Sequence, residues 1–109
     1  MLKVIFNAIM AKFRYIVQNF KVAKDVNVSL IFDKKARSTR ISVTCFRNNE
    51  TRTVSRVLEK EDNFTPIYLF LKKNSERAST TIDSQLISKI AMIASQINAN
   101  GRPSVLLVA

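Results

Sequence analysis

The side chains of this chain that could take part in chemistry are mostly cations. Among 109 residues, 18 Lys and Arg stand against 8 Asp and Glu, and there is no histidine, one cysteine and one glycine. Without histidine no side chain has an ordinary pKa near neutrality, and one glycine does not make a glycine-rich phosphate loop. A single cysteine without histidine also leaves too few ligands for a protein zinc site. We therefore expect a protein that is not an enzyme and carries no cofactor.

The acidic residues do not suggest a catalytic set either. Glu59, Glu61 and Asp62 occur together in a short charged segment, which is typical of a solvated loop. A metal-dependent nuclease would need the fold to gather carboxylates from separate elements. Those carboxylates would be Asp25, Asp33, Glu50 and Asp83. This enzymatic alternative stays open at the level of sequence, and a binding function is favoured over it.

The cations are concentrated in residues 30–56, which read LIFDKKARSTRISVTCFRNNETRTVSR. Val, Ile, Thr and Phe are interleaved with them, as expected of strands in a folded sheet rather than of a basic tail. A net charge of +10 and a pI near 10.3 favour a polyanionic partner or an anionic membrane surface. The plainer alternative is a solvated basic surface that only keeps the protein soluble. The stretch contains seven cations: Lys34, Lys35, Arg37, Arg40, Arg47, Arg52 and Arg56.

The elements that must hold these cations begin with an amphipathic segment over residues 2–22. Its apolar residues recur at helical spacing and its polar residues fall on the opposite face, so an N-terminal helix is predicted. The first 24 residues contain five cations and no acid. Three interpretations are open: a helix that packs on the domain's own sheet, an interfacial membrane helix, and an organellar transit peptide. No segment approaches the ~20 apolar residues that span a bilayer, so a membrane partner is disfavoured.

A hydrophobic period of two begins at Val26 and predicts antiparallel strands. Asn48 and Asn49 tolerate left-handed backbone, so they predict a tight turn between two of these strands. The predicted strands cover residues 26–32, 40–46, 51–58 and 67–72.

A second helix is predicted at residues 80–99, with its N-cap among residues 79–81 and Asp83 near the positive end of its dipole. Gly101 stands where a glycine commonly ends a helix. Residues 104–108 are too hydrophobic for a frayed tail. They predict a short strand or a contact with a partner subunit.

Together these elements predict one α+β domain over residues 1–109. Its antiparallel sheet has four to five strands, and an N-terminal helix and a C-terminal helix cover one face of that sheet. The other face of the sheet stays open. The predicted organisation is a basic amphipathic helix at 1–24, the antiparallel sheet at 26–72, a helix at 80–99 and a short strand at 104–108.

The open face of that sheet is predicted to mix cations, hydroxyl groups and aromatic rings. Single-stranded nucleic acid binding needs this combination, because Lys and Arg contact phosphates while aromatic rings stack on unpaired bases. The alternatives are that a second subunit or the N-terminal helix covers the aromatic residues, and that the cationic loop has no ligand. The candidate nucleic-acid-binding residues are Lys34, Lys35, Arg37, Arg40, Phe46, Arg47, Arg52, Arg56, Tyr68 and Lys72.

Two segments carry a family resemblance, VSLIFDKKARSTRISVTCF and TTIDSQLISKIAMIASQI. Four antiparallel strands followed by a helix, with cations in the strands and the first loop, resemble the PC4-like transcriptional coactivator module and its whirly relatives over about residues 27–98. The resemblance implies a dimer that binds single-stranded DNA. The N-terminal helix, the missing tryptophan and the VLLVA end depart from that family. The resemblance implies a binding role for Lys34, Lys35, Arg37, Arg40 and Arg52.

We accordingly expect a non-catalytic protein that binds single-stranded DNA or RNA with low sequence specificity. The alternative is a small viral or plasmid-encoded interaction protein that binds an acidic host protein surface, because both classes need a basic surface. A homodimer is expected, since the second helix and residues 105–108 carry more apolar surface than one sheet contact covers. A cytoplasmic location is expected because Lys12 and Arg14 interrupt any secretory signal, with the transit peptide as the alternative.

Overall fold

The computed structural model describes residues 15–102, which form four strands followed by two helices. Each strand pairs with its neighbour in the chain, in the order β1-β2-β3-β4, and all three pairings are antiparallel. The sheet is therefore a meander, and both helices follow it. The elements are β1 (Tyr15–Ala23), β2 (Val26–Asp33), β3 (Ser38–Arg47), β4 (Glu50–Val57), α1 (Phe64–Ala78) and α2 (Ser84–Asn100).

Two-residue turns join β1 to β2 and β3 to β4. In the second turn Asn48 and Asn49 have φ of 50° and 64°. A type I′ hairpin turn requires this left-handed conformation at both positions, and Asn adopts it more readily than most residues. The predicted asparagine turn is confirmed. Both turns lie at one end of the sheet, which we call the turn end, while the β2–β3 loop lies at the opposite end, the loop end.

The alternation of burial along β2 shows which face of the sheet is covered. Val28 and Leu30 are completely buried and pair with Val43 and Ile41 of β3, which are also buried. The two helices pack against each other. The first, α1, lies over β2 and β3, and the second, α2, lies over β3 and β1. Each apolar side chain buried between these layers stabilises the fold by roughly 1.5–3 kcal/mol. The helices contribute Ile67, Leu71, Ile87, Ile90 and Ile97 to this core.

Capping residues set the ends of α2. Asp83 is the N-cap, and its carboxylate accepts a hydrogen bond of 3.0 Å from the backbone N–H of Leu86. The backbone N–H of Asp83 also donates to the carbonyl of Val22 at 2.7 Å, which ties the start of α2 to the end of β1. At the other end Gly101 has φ 65°, as predicted for a helix-terminating glycine.

The predicted N-terminal helix is wrong where the structure describes it, because residues 15–23 form β1. Ile16 and Phe20 fit a helical spacing of four, but with Val22 they also fit the period of two of a strand. Aromatic and β-branched residues favour the strand, and pairing with β2 satisfies its backbone hydrogen bonds. The part of the predicted helix before Tyr15 lies outside the described residues.

The predicted fourth strand at residues 67–72 is also wrong, since this segment lies within α1. The five apolar and aromatic residues at 67–71 fit either structure, and the longer segment decides between them. Ile67, Leu71, Ser75 and Ala78 are buried at helical spacing, and Pro66 occupies the first turn, where a missing N–H is tolerated.

The fold class is confirmed as α+β, with a four-stranded antiparallel sheet, and within residues 15–102 both helices lie on the same face of that sheet. The strands predicted at 26–32, 40–46 and 51–58 are present, with ends shifted by one or two residues. The helix predicted at 80–99 is present but begins at Ser84, and the predicted N-cap among residues 79–81 is wrong because Asp83 is the N-cap. The strand predicted at 104–108 lies outside the described residues. Within residues 15–102, no helix has the length and apolar character that a bilayer span requires.

Candidate functional site

The residues predicted to bind nucleic acid do not lie on one face of the sheet. The strand register places Arg40 and Phe46 on the open face, whereas Arg47, Arg52 and Arg56 point to the helix side. The remaining five lie off the sheet: Lys34, Lys35 and Arg37 in the β2–β3 loop, and Tyr68 and Lys72 on α1. The prediction that a fourth strand carries Tyr68 and Lys72 on the open face is therefore wrong.

Hydroxyl and amide side chains occupy the centre of the open face. Asn19, Ser29, Ser42 and Ser55 form one row across the four strands. Ser29 Oγ donates to Asn19 Oδ1 at 2.6 Å, and the Ser42 and Ser55 hydroxyls are 2.7 Å apart. These polar groups bind one another, so they stabilise strand pairing and offer few unsatisfied donors to a ligand.

The aromatic residues of the open face are too far apart to act together. Tyr15 begins β1 at the loop end, and Phe46 is near the end of β3 at the turn end. The cations of this face are Lys21 and Arg40, with Asp33 as an opposing charge. Among the described residues this face therefore does not combine stacked aromatic rings with a run of cations.

A cleft lies on the helix side instead, between the turn end of the sheet and the end of α1. Its sheet wall is formed by β3 and β4, which extend beyond the helices: every residue of β4 is exposed except the half-buried Arg56. Its other wall is the last turn of α1. The cleft has a volume of about 350 Å³ and is lined by Val43, Cys45, Arg47, Asn48, Glu50, Arg52, Val54, Asn74, Arg77 and Ala78. We call it the arginine cleft.

Three arginines from three elements line the arginine cleft. Arg47 ends β3, Arg52 lies on β4 and Arg77 lies in the last turn of α1, and all three are exposed. No side chain within residues 15–102 makes a hydrogen bond or an ion pair with any of them, although Glu50 lines the same cleft. Their charge is thus available to an anionic ligand, and a guanidinium donates to phosphate or carboxylate oxygens in pairs.

The basic surface continues from the cleft along the outer side of α1. A shallow groove there is lined by Leu69, Lys72, Lys73, Glu76 and Arg77. Arg77 therefore lines both this groove and the arginine cleft. Lys72 is partly engaged, since its Nζ lies 3.9 Å from Glu76 Oε1 and 5.8 Å from the centre of the Tyr68 ring.

Tyr68 belongs mainly to the fold. Its ring stacks on Phe64 with a centroid distance of 5.5 Å and an angle of 15° between the planes. The residue is half-buried and packs against the core. Tyr68 thus anchors the helix and borders the basic groove through Lys72.

Arg56 has a structural partner. Its Nη2 donates to Asp62 Oδ1 at 2.8 Å, and the backbone N–H of Glu59 donates to Asp62 Oδ2 at 2.9 Å. Burial of Asp62 favours its neutral form, but these two donors outweigh burial and hold the pKa of Asp62 below its ordinary value. Arg56 therefore secures the segment between β4 and α1.

The acidic segment is part of the fold rather than a solvated loop. Asn98 of α2 donates through Nδ2 to the carbonyls of Glu59 and Asp62, at 2.7 and 3.0 Å. Glu59 and Glu61 are exposed, and a hydrogen bond between their carboxyl groups while Glu59 carries the proton raises the pKa of Glu59 and lowers the pKa of Glu61. The expectation that this segment is merely solvated is wrong for Asp62, which is buried.

The cationic β2–β3 loop, residues 34–37, lies at the loop end of the sheet. Asp33 Oδ1 accepts hydrogen bonds from the backbone N–H groups of Lys35 and Ala36, at 3.0 and 3.2 Å, and Arg37 has φ 52°. The loop therefore has a defined turn that exposes its three cations. It lies away from the arginine cleft, at the far end of the same strands.

Lys73 and Arg77 were absent from the predicted set, because the segment that holds them was interpreted as a strand and a loop. The sequence FTPIYLFLKKNSERA contains the signal that was missed: a proline near its start and buried positions four residues apart. Within residues 15–102 the structure shows no group of three or more His, Cys, Asp or Glu side chains placed to hold a metal ion. The single thiol, Cys45, is half-buried and lines the cleft.

Comparison with known proteins adds no relative from which a role could be transferred. No protein-family model matches the chain, and neither a curated protein nor a solved structure is significantly similar to it. The resemblance to the PC4-like module stays a prediction. The geometry of the arginine cleft is therefore the basis on which a function can be argued.

Proposed function

We propose that this protein binds nucleic acid, with single strands favoured, and that the arginine cleft and the adjoining outer side of α1 form its binding surface. The observation that carries the proposal is the meeting of Arg47, Arg52 and Arg77 at one cleft without a partner among the described residues. Three arginines around one cleft are complementary in charge to the phosphates of a nucleic acid backbone, and each guanidinium can donate two hydrogen bonds to a phosphate.

The charge of the whole chain supports a polyanionic ligand over a small one. A net charge of +10 raises the local concentration of an extended anion around the protein. Lys73 extends the cationic surface beyond the cleft, so consecutive phosphates can be contacted. The role is binding, and no step of it requires a catalytic group.

The test is a titration of a fluorescent single-stranded oligonucleotide against two charge-reversed variants. The cleft variant carries Arg47→Glu, Arg52→Glu and Arg77→Glu. The control variant carries Lys60→Glu, Lys89→Glu and Arg102→Glu, at three exposed cations outside the cleft. Both variants have the same net charge, so a difference between them reports position. We expect the cleft variant to bind at least ~30-fold more weakly than wild type, and the control variant to lose less than ~5-fold.

Equal losses in the two variants would contradict the proposed surface, because net charge alone would then explain binding. Failure of the wild-type protein to bind any nucleic acid would contradict the proposed function. The expected alternative, an acidic host protein surface, would then be the better hypothesis.

A homodimer stays a prediction, and its basis has changed. The apolar residues that suggest a second contact on α2 are Ile87, Ala91, Met92 and Ala94. Only Met92 of these is exposed, at 52%, and the other three are buried within one chain. A surface suited to a second copy is the β4 edge, where Val57 on the open face is 58% exposed. Sedimentation at micromolar concentration checks this, and a species of one chain's mass would contradict it.

A further inference from the structure

The apolar part of the arginine cleft has no role in contacting phosphates. The helix-facing side chains of Val43, Cys45 and Val54 form its sheet wall below the arginines, and Ala78 faces them from α1. Val54 is 39% exposed although it points to the helix side, because α1 does not reach over β4. A ligand that fills the cleft therefore covers apolar surface between cationic groups.

The cleft is small. Its volume of about 350 Å³ is at the low end of the ~300–1,000 Å³ typical of ligand sites. A flat ring system with one charged substituent fits this space, whereas a duplex does not enter it. Polar atoms are also present, since Asn74 uses its Nδ2 to donate to the carbonyl of Phe70, at 2.8 Å, and keeps Oδ1 as an acceptor.

We infer that the arginine cleft receives one unstacked base of a single-stranded nucleic acid, with the flanking phosphates on Arg47, Arg52 and Arg77. This inference rests on the proposed function and deepens it by naming the ligand unit. A base inside a duplex is stacked and paired, so it reaches such a cleft only after it leaves the helix. The cleft thus selects single strands over duplexes through the base, while the arginines bind either form.

The direct probe is an oligonucleotide that keeps the phosphates but lacks the bases. We compare a single strand, a duplex of the same length and a single strand of abasic sugar units. Stacking on an aromatic ring contributes ~1–3 kcal/mol per base. No aromatic residue lines the arginine cleft, so a base there contacts aliphatic side chains and guanidinium planes, and we expect the lower end of that range, ~1 kcal/mol or about fivefold in affinity. We therefore expect the normal single strand to bind at least about fivefold more tightly than the abasic strand.

A variant that fills the cleft tests its location. Val54→Met places a longer side chain without a ring on the helix side of β4, while the matched control Thr53→Met places it on the open face of the same strand. Both positions are exposed, so both variants should fold. Val54→Met should reduce the preference for the normal over the abasic strand and leave abasic binding within about twofold, whereas Thr53→Met should keep the preference.

The single thiol gives an independent readout. Cys45 lines the cleft, so a bound base should protect it from a thiol reagent, and the abasic strand should protect it less. Equal affinity for the normal and abasic strands, or equal loss of preference in both methionine variants, would overturn the inference while leaving nucleic-acid binding intact. Binding of a free mononucleotide as tight as that of the strand would also overturn it. Absence of binding to all three probes would instead defeat the proposed function itself.

Discussion

The two faces of the sheet differ in whether their polar groups are already occupied. On the open face Ser42 and Ser55 bond to each other, and Ser29 bonds to Asn19. On the helix side Arg47 and Arg52 lie on strands that extend past the helices, and no described side chain pairs with them. Polar composition alone therefore does not locate a binding surface. A polar face whose groups bind one another serves the fold, whereas convergent unpaired charges are available to a ligand.

Arg56 lies on the same strand and the same side of the sheet as Arg52, but it has a different role. Arg56 is held by Asp62, so it belongs to the fold and not to the proposed binding surface. Two arginines four residues apart on one strand therefore have different roles, because the segment after β4 provides Asp62 as a partner for Arg56 and not for Arg52.

The largest expected effect on stability is that of Asp62→Ala. The change removes the partner of Arg56 and leaves the partly buried backbone N–H of Glu59 without its acceptor. Since Arg56 is partly exposed and can be rehydrated, we expect a loss of about 2–3 kcal/mol in the free energy of unfolding. Denaturant titration measures it, and oligonucleotide binding by the folded variant should change little. A loss below about 0.5 kcal/mol would show that the pair does not hold this segment.

The same pair predicts a dependence of stability on pH. The folded-state pKa of Asp62 lies below its unfolded value, so its contribution is present above about pH 4 and is lost as the pH falls through the folded-state pKa. Asp62→Asn should flatten this part of the acid unfolding profile relative to wild type. Parallel profiles for the two proteins would contradict the assignment.

A smaller effect is expected on the open face. Ser42→Ala removes the hydrogen bond to Ser55 at a buried position, which should lower the free energy of unfolding by about 1 kcal/mol. Nucleic-acid affinity should stay within about twofold of wild type, because this face is not the proposed surface. A loss of affinity larger than the control variant shows would place the ligand on the open face after all.

The smallest effect on stability is expected at the arginines of the cleft. Arg47→Ala, Arg52→Ala and Arg77→Ala each remove an exposed side chain without a described partner, so each should change the free energy of unfolding by less than about 0.5 kcal/mol. Thermal melting of the single variants checks this. A marked loss of stability in any of them would mean that the side chain supports the fold and is not held free for a ligand.

Local features of the fold were predictable where one residue type meets one backbone requirement. Asn48 and Asn49 adopt the left-handed turn, Gly101 ends α2, and the alternation from Val26 to Phe32 marks β2. Residues 15–23 and 67–72 were not predictable in this way, because their apolar patterns fit both periods and pairing or packing with distant segments decides the outcome.

The candidate site was predictable only in its charge and in part of its membership. Arg47, Arg52 and Lys72 were among the predicted residues and lie on the proposed surface. Arg77 was missed because its position depends on α1. Arg56 is engaged in the fold because it forms an ion pair with Asp62, six residues later in the chain. A guanidinium group is free or engaged according to tertiary contacts, which spacing along the sequence does not reveal.

The salt dependence of binding tests most directly whether the cleft arginines contact phosphates. For single strands log K falls with log salt by ~0.7 for each phosphate contacted, so loss of three contacts should flatten the slope by ~2. We compare wild type, the cleft variant and a loop variant with Lys34→Glu, Lys35→Glu and Arg37→Glu. We expect the slope of log K against log salt to flatten by ~2 in the cleft variant and by less than ~1 in the loop variant. If the slope is unchanged in the cleft variant and flattened in the loop variant, the cleft arginines do not contact the phosphates. The phosphates would then lie at the loop end of the sheet.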